Sequence, residues 1–188
     1  VYNNIRFEFS DIDQASAFAT LFTGSNPCFS GIAGDKTFDF EKEKEVSILN
    51  DPEYLGNYTK ENYSPKNLFS STIGDELKIA SQGRSDVYSI APDAESAILS
   101  AGHAANGAFW MDNTNGKWAT TTYYKGIPWY VDRYNNGPES LASRLETMVW
   151  TPTLPMEKYD AFPYVLDDLP FRYTFSEKFA NCYPNLKT

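Results

Sequence analysis

Three carboxylates near the start of the chain are spaced so that they could share a cation. Asp11 and Asp13 precede an apolar, helix-like run, and Asp35 follows the turn Gly31–Gly34. If the three side chains converge, their oxygen atoms would suit a hard cation such as Ca²⁺ or Mg²⁺. Helix capping and loop placement explain the same residues more simply. Both interpretations stay open, and capping is favoured.

A second pair of carboxylates follows a strand-like run at residues 87–91. Pro92 ends this run, and Asp93 and Glu95 then open a helix-like run that reaches Gly102. Sheets of the α/β class place ligands beyond the carboxyl ends of their strands, so the pair could line a site. Acidic residues in a first helical turn also favour the helix dipole whatever the function.

The remaining residues with distinctive chemistry favour structural roles. His103 is the single histidine, and one imidazole cannot build a multi-histidine metal site. Cys28 and Cys182 either form a disulfide or are two unpaired core residues, and the unpaired interpretation is at least as well supported. The four tryptophans suit a sugar-stacking surface less well than core packing; they are Trp110, Trp118, Trp129 and Trp150.

Two helices and a strand are predicted in the first half of the chain. Ser10 is the predicted cap of the first helix, with one apolar face at helical spacing, formed by Ile12, Ala15, Ala19 and Phe22. Thr72 is the predicted cap of the second helix, whose buried side is predicted to carry Ile73, Leu77 and Ala80. Helix, strand and helix in succession indicate a layered α/β fold.

The rest of the chain is less regular. Residues 35–67 are polar and contain an alternating charge run, which predicts a solvated insertion or loop. Two aromatic runs flank Asn115-Gly116, a strong hairpin signal.

The segment 87–110 resembles the alkaline phosphatase superfamily, in its type I phosphodiesterase / nucleotide pyrophosphatase branch and most closely its bacterial periplasmic zinc phosphatases. Those enzymes carry a Lys-x-Arg pair after this strand, followed by an Ala-Ile-Leu-Pro-Ala-Gly-His run. Here Ala97-Ile98-Leu99-Ser100-Ala101-Gly102-His103 keeps that run. Upstream, Thr23-Gly24, Pro27 and Gly31-Ile32 keep the frame of the family's nucleophile motif.

The same resemblance shows that four phosphate-contact positions are replaced. Counting back from Thr23-Gly24 puts Gln14 at the nucleophile position, and an amide has no hydroxyl with which to form a phosphoryl ester. Asp35 stands where relatives have an Asn donor, and Asp93 and Glu95 stand at the Lys-x-Arg pair. An ionised carboxylate only accepts hydrogen bonds, so these replacements oppose an oxyanion. If the geometry is retained, Asp93 and Glu95 lie on the same edge as Gln14 and Asp35; otherwise they only cap their own helix.

The resemblance also carries expectations about the whole protein. It implies an α/β, alkaline-phosphatase-like core fragment over residues 1–108, with the polar insertion at 35–67, and a hairpin-containing cap insertion over 109–188. Relatives use two zinc ions, which this chain is not expected to bind alone. Because relatives are several hundred residues long, the remainder of a parent protein is the expected partner, and the location is periplasmic or otherwise extracytoplasmic.

Charge limits the choice of partners. The net charge is −9 and the pI is about 4.6, which argues against nucleic acid. No apolar run is long enough to predict a membrane span. The predicted function is a fragment of a metal-dependent phosphatase- or phosphodiesterase-like hydrolase, inactive alone and with an unknown small-molecule ligand. The alternative is a non-catalytic binding or interaction protein on the same scaffold.

Overall fold

The structure is a computed structural model that describes residues 6–10, 12–40 and 42–147, and the two short strands at 164–166 and 169–171. It divides into two compact units, one formed by Val1–Met111 with Trp118–Pro128 and the other by Asp112–Lys117 with Trp129–Thr188. The first unit carries all the residues that the sequence singled out as replaced phosphate contacts.

The elements of the chain, in order, are as follows. The helices are α1 (Gln14–Thr23), α2 (Pro27–Ser30), α3 (Ile73–Ala80), α4 (Ala94–Ala101), α5 (Trp129–Asn135) and α6 (Leu141–Thr147). The strands are β1 (Lys36–Asp39), β2 (Lys44–Ser47), β3 (Gly56–Asn57), β4 (Tyr88–Ala91), β5 (Gly107–Asp112), β6 (Lys117–Thr121), β7 (Tyr164–Leu166) and β8 (Leu169–Phe171).

The main sheet has four strands in the order β3-β6-β5-β4. β4 and β5 are parallel, with Tyr88 opposite Gly107, and α4 makes the connection between them. β6 and β3 are antiparallel, with Gly56 opposite Thr121. A mixed sheet with a helical crossover confirms the predicted α/β class.

The first helix forms where the sequence predicts it but begins three residues later than the Ser10 cap requires. Asp13 is the cap: its carboxylate accepts from the backbone N–H of Ser16, whose hydroxyl accepts from the N–H of Asp13. Ile12 therefore lies outside the helix and is half exposed, so its predicted place on the apolar face of the helix is wrong. Gly24 ends the helix in the left-handed conformation.

The start of α3 is confirmed, but its predicted buried side is wrong. Thr72 and Asp75 form a reciprocal capping box. The helix turns Gly74 and Asp75 inward, however, and leaves Ile73 70% and Leu77 51% exposed. The inward position needs a residue without a side chain, because a Cβ on Gly74 would overlap Val87.

The core of the first unit is centred on the contact between α1 and α4. Ala15 and Ala19 of α1 are fully buried, and so is most of the α4 sequence. Small side chains let the two helices approach closely. The cluster also includes aliphatic and aromatic residues from the strands and loops, among them Ile32, Leu49, Leu68, Trp110 and Tyr124.

The polar segment 35–67 is only partly a solvated loop. Its charge-rich half forms the exposed hairpin of β1 and β2, as charge patterning predicts. Its second half is packed: Leu49 and Asp51 are 1% exposed, and the Asp51 carboxylate accepts from the hydroxyl of the fully buried Ser64. The alternating charges therefore predicted exposure correctly only for the residues next to them.

The predicted hairpin is confirmed. β5 and β6 flank a turn in which the Asp112 carboxylate accepts from the backbone N–H groups of Thr114 and Asn115 and from the Thr114 hydroxyl. Gly116 closes the turn with a positive φ of 66°.

Among the cysteines and tryptophans, the structure describes Cys28, Trp110, Trp118 and Trp129. Cys28 is exposed, which rules it out as a core residue, and Cys182 lies outside the described residues. Trp110 is 2% exposed and therefore cannot stack on a sugar, whereas Trp129 of the second unit is 73% exposed. Trp150 also lies outside the described residues. Within the described part of the chain, no helix has the length and apolar character to cross a membrane.

Gly102 gives the first testable prediction. Both Gly102 and Gly83 have φ above +70°, so alanine at either costs about 1 kcal/mol of strain. A Cβ at Gly102 would also overlap Thr72 Oγ1 and Asp75 Oδ2, whereas at Gly83 it would meet nothing within 4 Å. We expect Gly102→Ala to lower the free energy of unfolding by about 1–3 kcal/mol more than Gly83→Ala, measured by urea denaturation. Equal losses would contradict this packing.

Candidate functional site

The N-termini of α1 and α4 meet at one edge of the first unit. Gln14, the first residue of α1, donates from Nε2 to Asp93 Oδ2 at 2.6 Å and to Ser96 Oγ at 2.7 Å. We call these three residues the Gln14 cluster. Both protons of the Gln14 amide are therefore used in contacts with α4.

Asp93 has two functions in this cluster. It is the N-cap of α4, where Oδ1 accepts from the Ser96 backbone N–H at 2.8 Å and Oδ2 accepts from the Ser96 hydroxyl at 3.1 Å. The same Oδ2 accepts from Gln14. Asp93 thus caps α4 and contacts Gln14 at the same time, although the two roles were predicted as alternatives.

Asp13 and Asp35 lie beside this cluster. The Asp13 carboxylate accepts from the backbone N–H of Ser16 at 2.7 Å and from that of Asp35 at 2.6 Å. Burial alone would raise the pKa of Asp13, but these hydrogen bonds outweigh it and hold the pKa below its usual value. The carboxylate is therefore committed to capping and to holding the 34–35 turn. Asp11, the third residue of the proposed cation group, lies outside the described residues.

Glu95 places a further negative charge near the cluster. Its side chain is partly buried, and burial, followed by the charges of Asp93, Glu61 and Asp35, raises its pKa. Burial and the charge of Glu61 also raise the pKa of the neighbouring Tyr63 to about 12. The charges of three carboxylates thus act on Glu95, and this edge of the molecule is acidic.

Two of these residues were missed by the sequence analysis. Ser96 could have been found, because a hydroxyl three residues after a capping aspartate is a recognisable pattern at a helix start. Glu61 has no local signal, since it lies in an irregular segment and reaches the site only through the tertiary fold.

His103 is held in a separate, structural network. Its ring Nδ1 lies 3.3 Å from Asp75 Oδ2, and its Nε2 lies 2.8 Å from the carbonyl oxygen of Leu68. Asp75 is 4% exposed and also accepts from the backbone N–H groups of His103 and Ala104. Acceptors beside both ring nitrogens favour the doubly protonated imidazolium.

The two pKa values in this network shift in opposite directions. Burial would raise the pKa of Asp75, but the hydrogen bonds from His103, Thr72 and Ala104 outweigh it and hold it well below the usual range. The Asp75 carboxylate raises the pKa of His103 against the opposing effect of burial. The pair therefore joins the start of α3 to the end of α4, as an ion pair when His103 is protonated.

The described residues do not form a metal site of their own. No group of three His, Cys, Asp or Glu side chains in the described ranges is arranged to hold a metal ion. The donor set present does not fit a pair of zinc ions, which needs several His and Asp ligands.

Comparison with known proteins identifies the scaffold. No family model matches the chain. It is 35% identical over 162 residues to the alkaline phosphatase PafA of Elizabethkingia meningoseptica, covering 84% of this chain and 29% of PafA. It is 32% identical over 176 residues to the alkaline phosphatase PhoV of Synechococcus elongatus, covering 92% of this chain and 31% of PhoV. A protein of Myroides odoratus described as a calcium-transporting ATPase is 33% identical over 174 residues.

The fold agrees with the sequence match. The crystal structure of wild-type PafA superposes with a TM-score of 0.68 at 32% identity, covering 89% of this chain and 35% of PafA. In sequence and in fold, the chain is therefore similar to a part of these alkaline phosphatases. A PafA variant with four substitutions superposes equally well, with a TM-score of 0.68 at 31% identity.

The match is to a part of these enzymes. The chain spans about 30% of the length of the alkaline phosphatases PafA and PhoV. The contact between Gln14 and Asp93 joins two of the positions that the sequence resemblance associates with the nucleophile and with phosphate binding.

The Gln14 cluster gives a prediction about stability. We expect Gln14→Ala to lower the free energy of unfolding by about 1 kcal/mol, because two hydrogen bonds between α1 and α4 are lost. Asp93→Ser keeps a capping side chain but is too short to reach Gln14. In that background Gln14→Ala should cost less, with a coupling energy of at least about 0.5 kcal/mol measured by urea denaturation. Additive losses would contradict the contact.

The His103–Asp75 pair gives a prediction about pH. The raised pKa of His103 means that its stabilisation is complete below about pH 6.5, the unfolded value, and is lost as pH rises through the folded value. The lowered pKa of Asp75 means that its stabilisation is complete above about pH 4 and is lost only at strongly acidic pH.

We therefore expect the midpoint of thermal unfolding to fall as pH is raised from 6 to 8.5. His103 is the only histidine, so the variant His103→Gln should be less stable at pH 6 and should lose most of this slope. An unchanged slope in the variant would contradict the proposed ion pair.

Proposed function

We propose that the chain is part of a larger phosphatase- or phosphodiesterase-like hydrolase of the superfamily, and that the chain does not hydrolyse phosphate esters by itself. The observation that supports this proposal is the bond between Gln14 Nε2 and Asp93 Oδ2. The position expected to attack phosphorus and a position expected to bind the phosphate oxygens are bonded to each other instead.

The chemistry of the two groups supports the same proposal. The Gln14 side chain has no hydroxyl with which to form a phosphoryl ester, and its amide N–H groups are donated to Asp93 and Ser96. Asp93, Glu95 and Asp35 bring negative charge where an incoming phosphate needs donors. Like charges at this edge would weaken phosphate binding.

Zinc is expected only because of the resemblance to the relatives. Two zinc ions would supply Lewis-acid activation of a nucleophile. The described donor set does not fit them, so we derive no step through a metal for this chain. In the parent protein, any zinc ligands would come from its remaining part.

The finer assignments are also proposals. The type I phosphodiesterase / nucleotide pyrophosphatase branch rests on the Ala97–His103 run and the Thr23-Gly24 frame. A periplasmic or otherwise extracytoplasmic location follows from the same resemblance. So does the division into a core part at 1–108 and a cap-like part at 109–188.

A second candidate is a non-catalytic binding protein on the same scaffold. The raised pKa of Glu95, caused by burial and by the charges of Asp93, Glu61 and Asp35, favours it, because this edge would attract a cation or a hydroxyl-rich neutral ligand. The Asp and His ligands in the rest of the parent protein distinguish the candidates. Their presence favours a modified hydrolase, and their absence favours binding.

The hydrolase assay is the direct test of the proposal. We expect no turnover of 4-nitrophenyl phosphate or bis(4-nitrophenyl) phosphate above the buffer rate, with or without added zinc. Zinc-dependent turnover that survives purification and disappears in Gln14→Ala would contradict the proposal, because the site would then work as it stands.

The complementary experiment restores the family's residue types in the parent protein. The variant combines Gln14→Thr, Asp35→Asn, Asp93→Lys and Glu95→Arg, and its matched control carries the last three changes only. If the rest of the protein holds the metals, hydrolysis should appear in the first variant and stay absent in the control. Equal activity in the two variants would contradict the assignment of residue 14 to the position of the nucleophile.

A further inference from the structure

A cavity of about 460 Å³ lies beside the C-terminal end of α1, in the first unit. Its walls come from the segment that precedes α1, from the last turn of α1 and from the start of α2, and we call it the α1–α2 cavity. Its volume is in the range of pockets that bind small molecules, roughly 300–1,000 Å³. Gln14 begins α1 and Gly24 ends it, so about 15 Å of helix separates this cavity from the Gln14 cluster.

The wall of the α1–α2 cavity carries one cation and one anion. The Arg6 guanidinium is exposed and makes neither an ion pair nor a hydrogen bond with any described residue. Glu8 follows two residues later, and its Oε2 accepts from Asn26 Nδ2 at 3.2 Å. The donors of Arg6 and the second oxygen of Glu8 are therefore available to a ligand.

Uncharged polar groups extend the same wall. The Asn26 side chain makes no cap hydrogen bond to α2, and Ser25 and Thr20 each add a hydroxyl. The Thr20 hydroxyl is buried and has no hydrogen-bond partner in the structure. Buried polar groups normally have a partner, and a polar ligand in this cavity would lie beside this one.

An aromatic ring and open space complete the cavity. Phe29 lines it, and this side chain is 71% exposed. A Cβ placed on Gly24, at the end of α1, would meet nothing within 4 Å. The face of an exposed phenylalanine ring is apolar and can stack on the C–H face of a ligand ring.

We propose that the α1–α2 cavity binds a neutral carbohydrate of one or two sugar rings. A sugar hydroxyl both donates and accepts hydrogen bonds, so it can bond to the Glu8 carboxylate as well as to the Arg6 guanidinium. The C–H face of the sugar ring stacks on Phe29. Charged ligands fit less well, because Glu8 opposes an anion and Arg6 opposes a cation.

A zwitterion, such as a free amino acid, is the closest competing ligand. It could match the charges of Arg6 and Glu8, but it has few groups to bond to the uncharged side chains of Thr20, Ser25 and Asn26. Several ligand hydroxyls match these three side chains better.

This inference does not depend on the proposed function. The α1–α2 cavity contains none of the residues at the replaced phosphate-contact positions. A hydrolase assay and a sugar titration therefore give separate answers: turnover in this chain would contradict the proposed function and leave the carbohydrate site unaffected.

The test is a titration of the isotope-labelled 188-residue chain, followed by NMR of its backbone and side-chain amides. The probes are glucose, galactose, mannose, N-acetylglucosamine, maltose and cellobiose. At least one of them should shift the amide signals of Ser25 and Asn26, with a dissociation constant of about 1 mM or lower. L-Phenylalanine and inorganic phosphate are the zwitterionic and anionic comparisons, and we expect both to bind at least about tenfold more weakly.

Two pairs of substitutions connect the binding to the cavity. Arg6→Ala and Phe29→Ala should each weaken sugar binding at least about fivefold, because a charged donor or the stacking face is lost. Arg84→Ala and Phe40→Ala are the matched controls, because these side chains are also exposed but do not line the cavity. They should change the dissociation constant less than about twofold. All four side chains are exposed, so the fold should be retained, and the dispersion of the NMR signals checks this.

Three results would overturn the proposal. The first is the absence of any shift at Ser25 and Asn26 with every sugar at about 50 mM, well above the expected constant. The second is an equal loss of affinity in the cavity variants and in their matched controls. The third is binding of L-phenylalanine or phosphate at these amides as tight as that of every sugar, which would assign the cavity to a charged ligand.

Discussion

The close packing of α1 on α4 is the constraint on which the rest of the first unit depends. Ala15 and Ala19 of α1 meet a helix whose buried residues include Ala97 and Ala101, and all four are fully buried. Larger side chains at these positions would separate the helices. Because the helices are close, their N-termini reach the same edge, and Gln14 can bond to the cap of α4.

At the start of α1 and at the start of α4, one carboxylate caps its own helix and also accepts a hydrogen bond from a residue far away in sequence. Asp13 caps α1 and holds the backbone of Asp35, while Asp93 caps α4 and accepts from Gln14. The buried Asp75 does the same for α3 and His103. A carboxylate has several lone pairs, so a cap leaves acceptor capacity for a second segment. These acids therefore hold secondary structure and tertiary structure in place at once.

The first unit is similar in fold to a part of PafA, and we propose that its phosphate-contact positions differ. The packing residues of α4 and the run Ala97–His103 preserve the arrangement that places two helix starts at one edge. That edge carries acidic side chains and the amide of Gln14, which donates a hydrogen bond to Asp93. A helix start with its N–H groups already capped by aspartates has less to offer a phosphate than a free one.

The sequence by itself determined the features that depend on neighbouring residues. The Thr72 cap follows from a side chain that bonds to its own backbone, whereas the end of α1 at Gly24 and the turn at Asn115-Gly116 follow from the access of glycine to positive φ. The family resemblance correctly predicted an α/β scaffold. It also predicted a common edge for Gln14, Asp35, Asp93 and Glu95, where the structure brings Gln14 and Asp93 into contact.

Only the tertiary structure decided which faces are buried and which side chains meet. Helical periodicity groups the larger apolar residues of α3 on one side but cannot say whether that side is buried. The burial of Asp51, the approach of Glu61 to Glu95 and the contact of Gln14 with Asp93 join residues far apart in sequence. Such contacts depend on how separate elements pack, and local propensity carries no information about that packing.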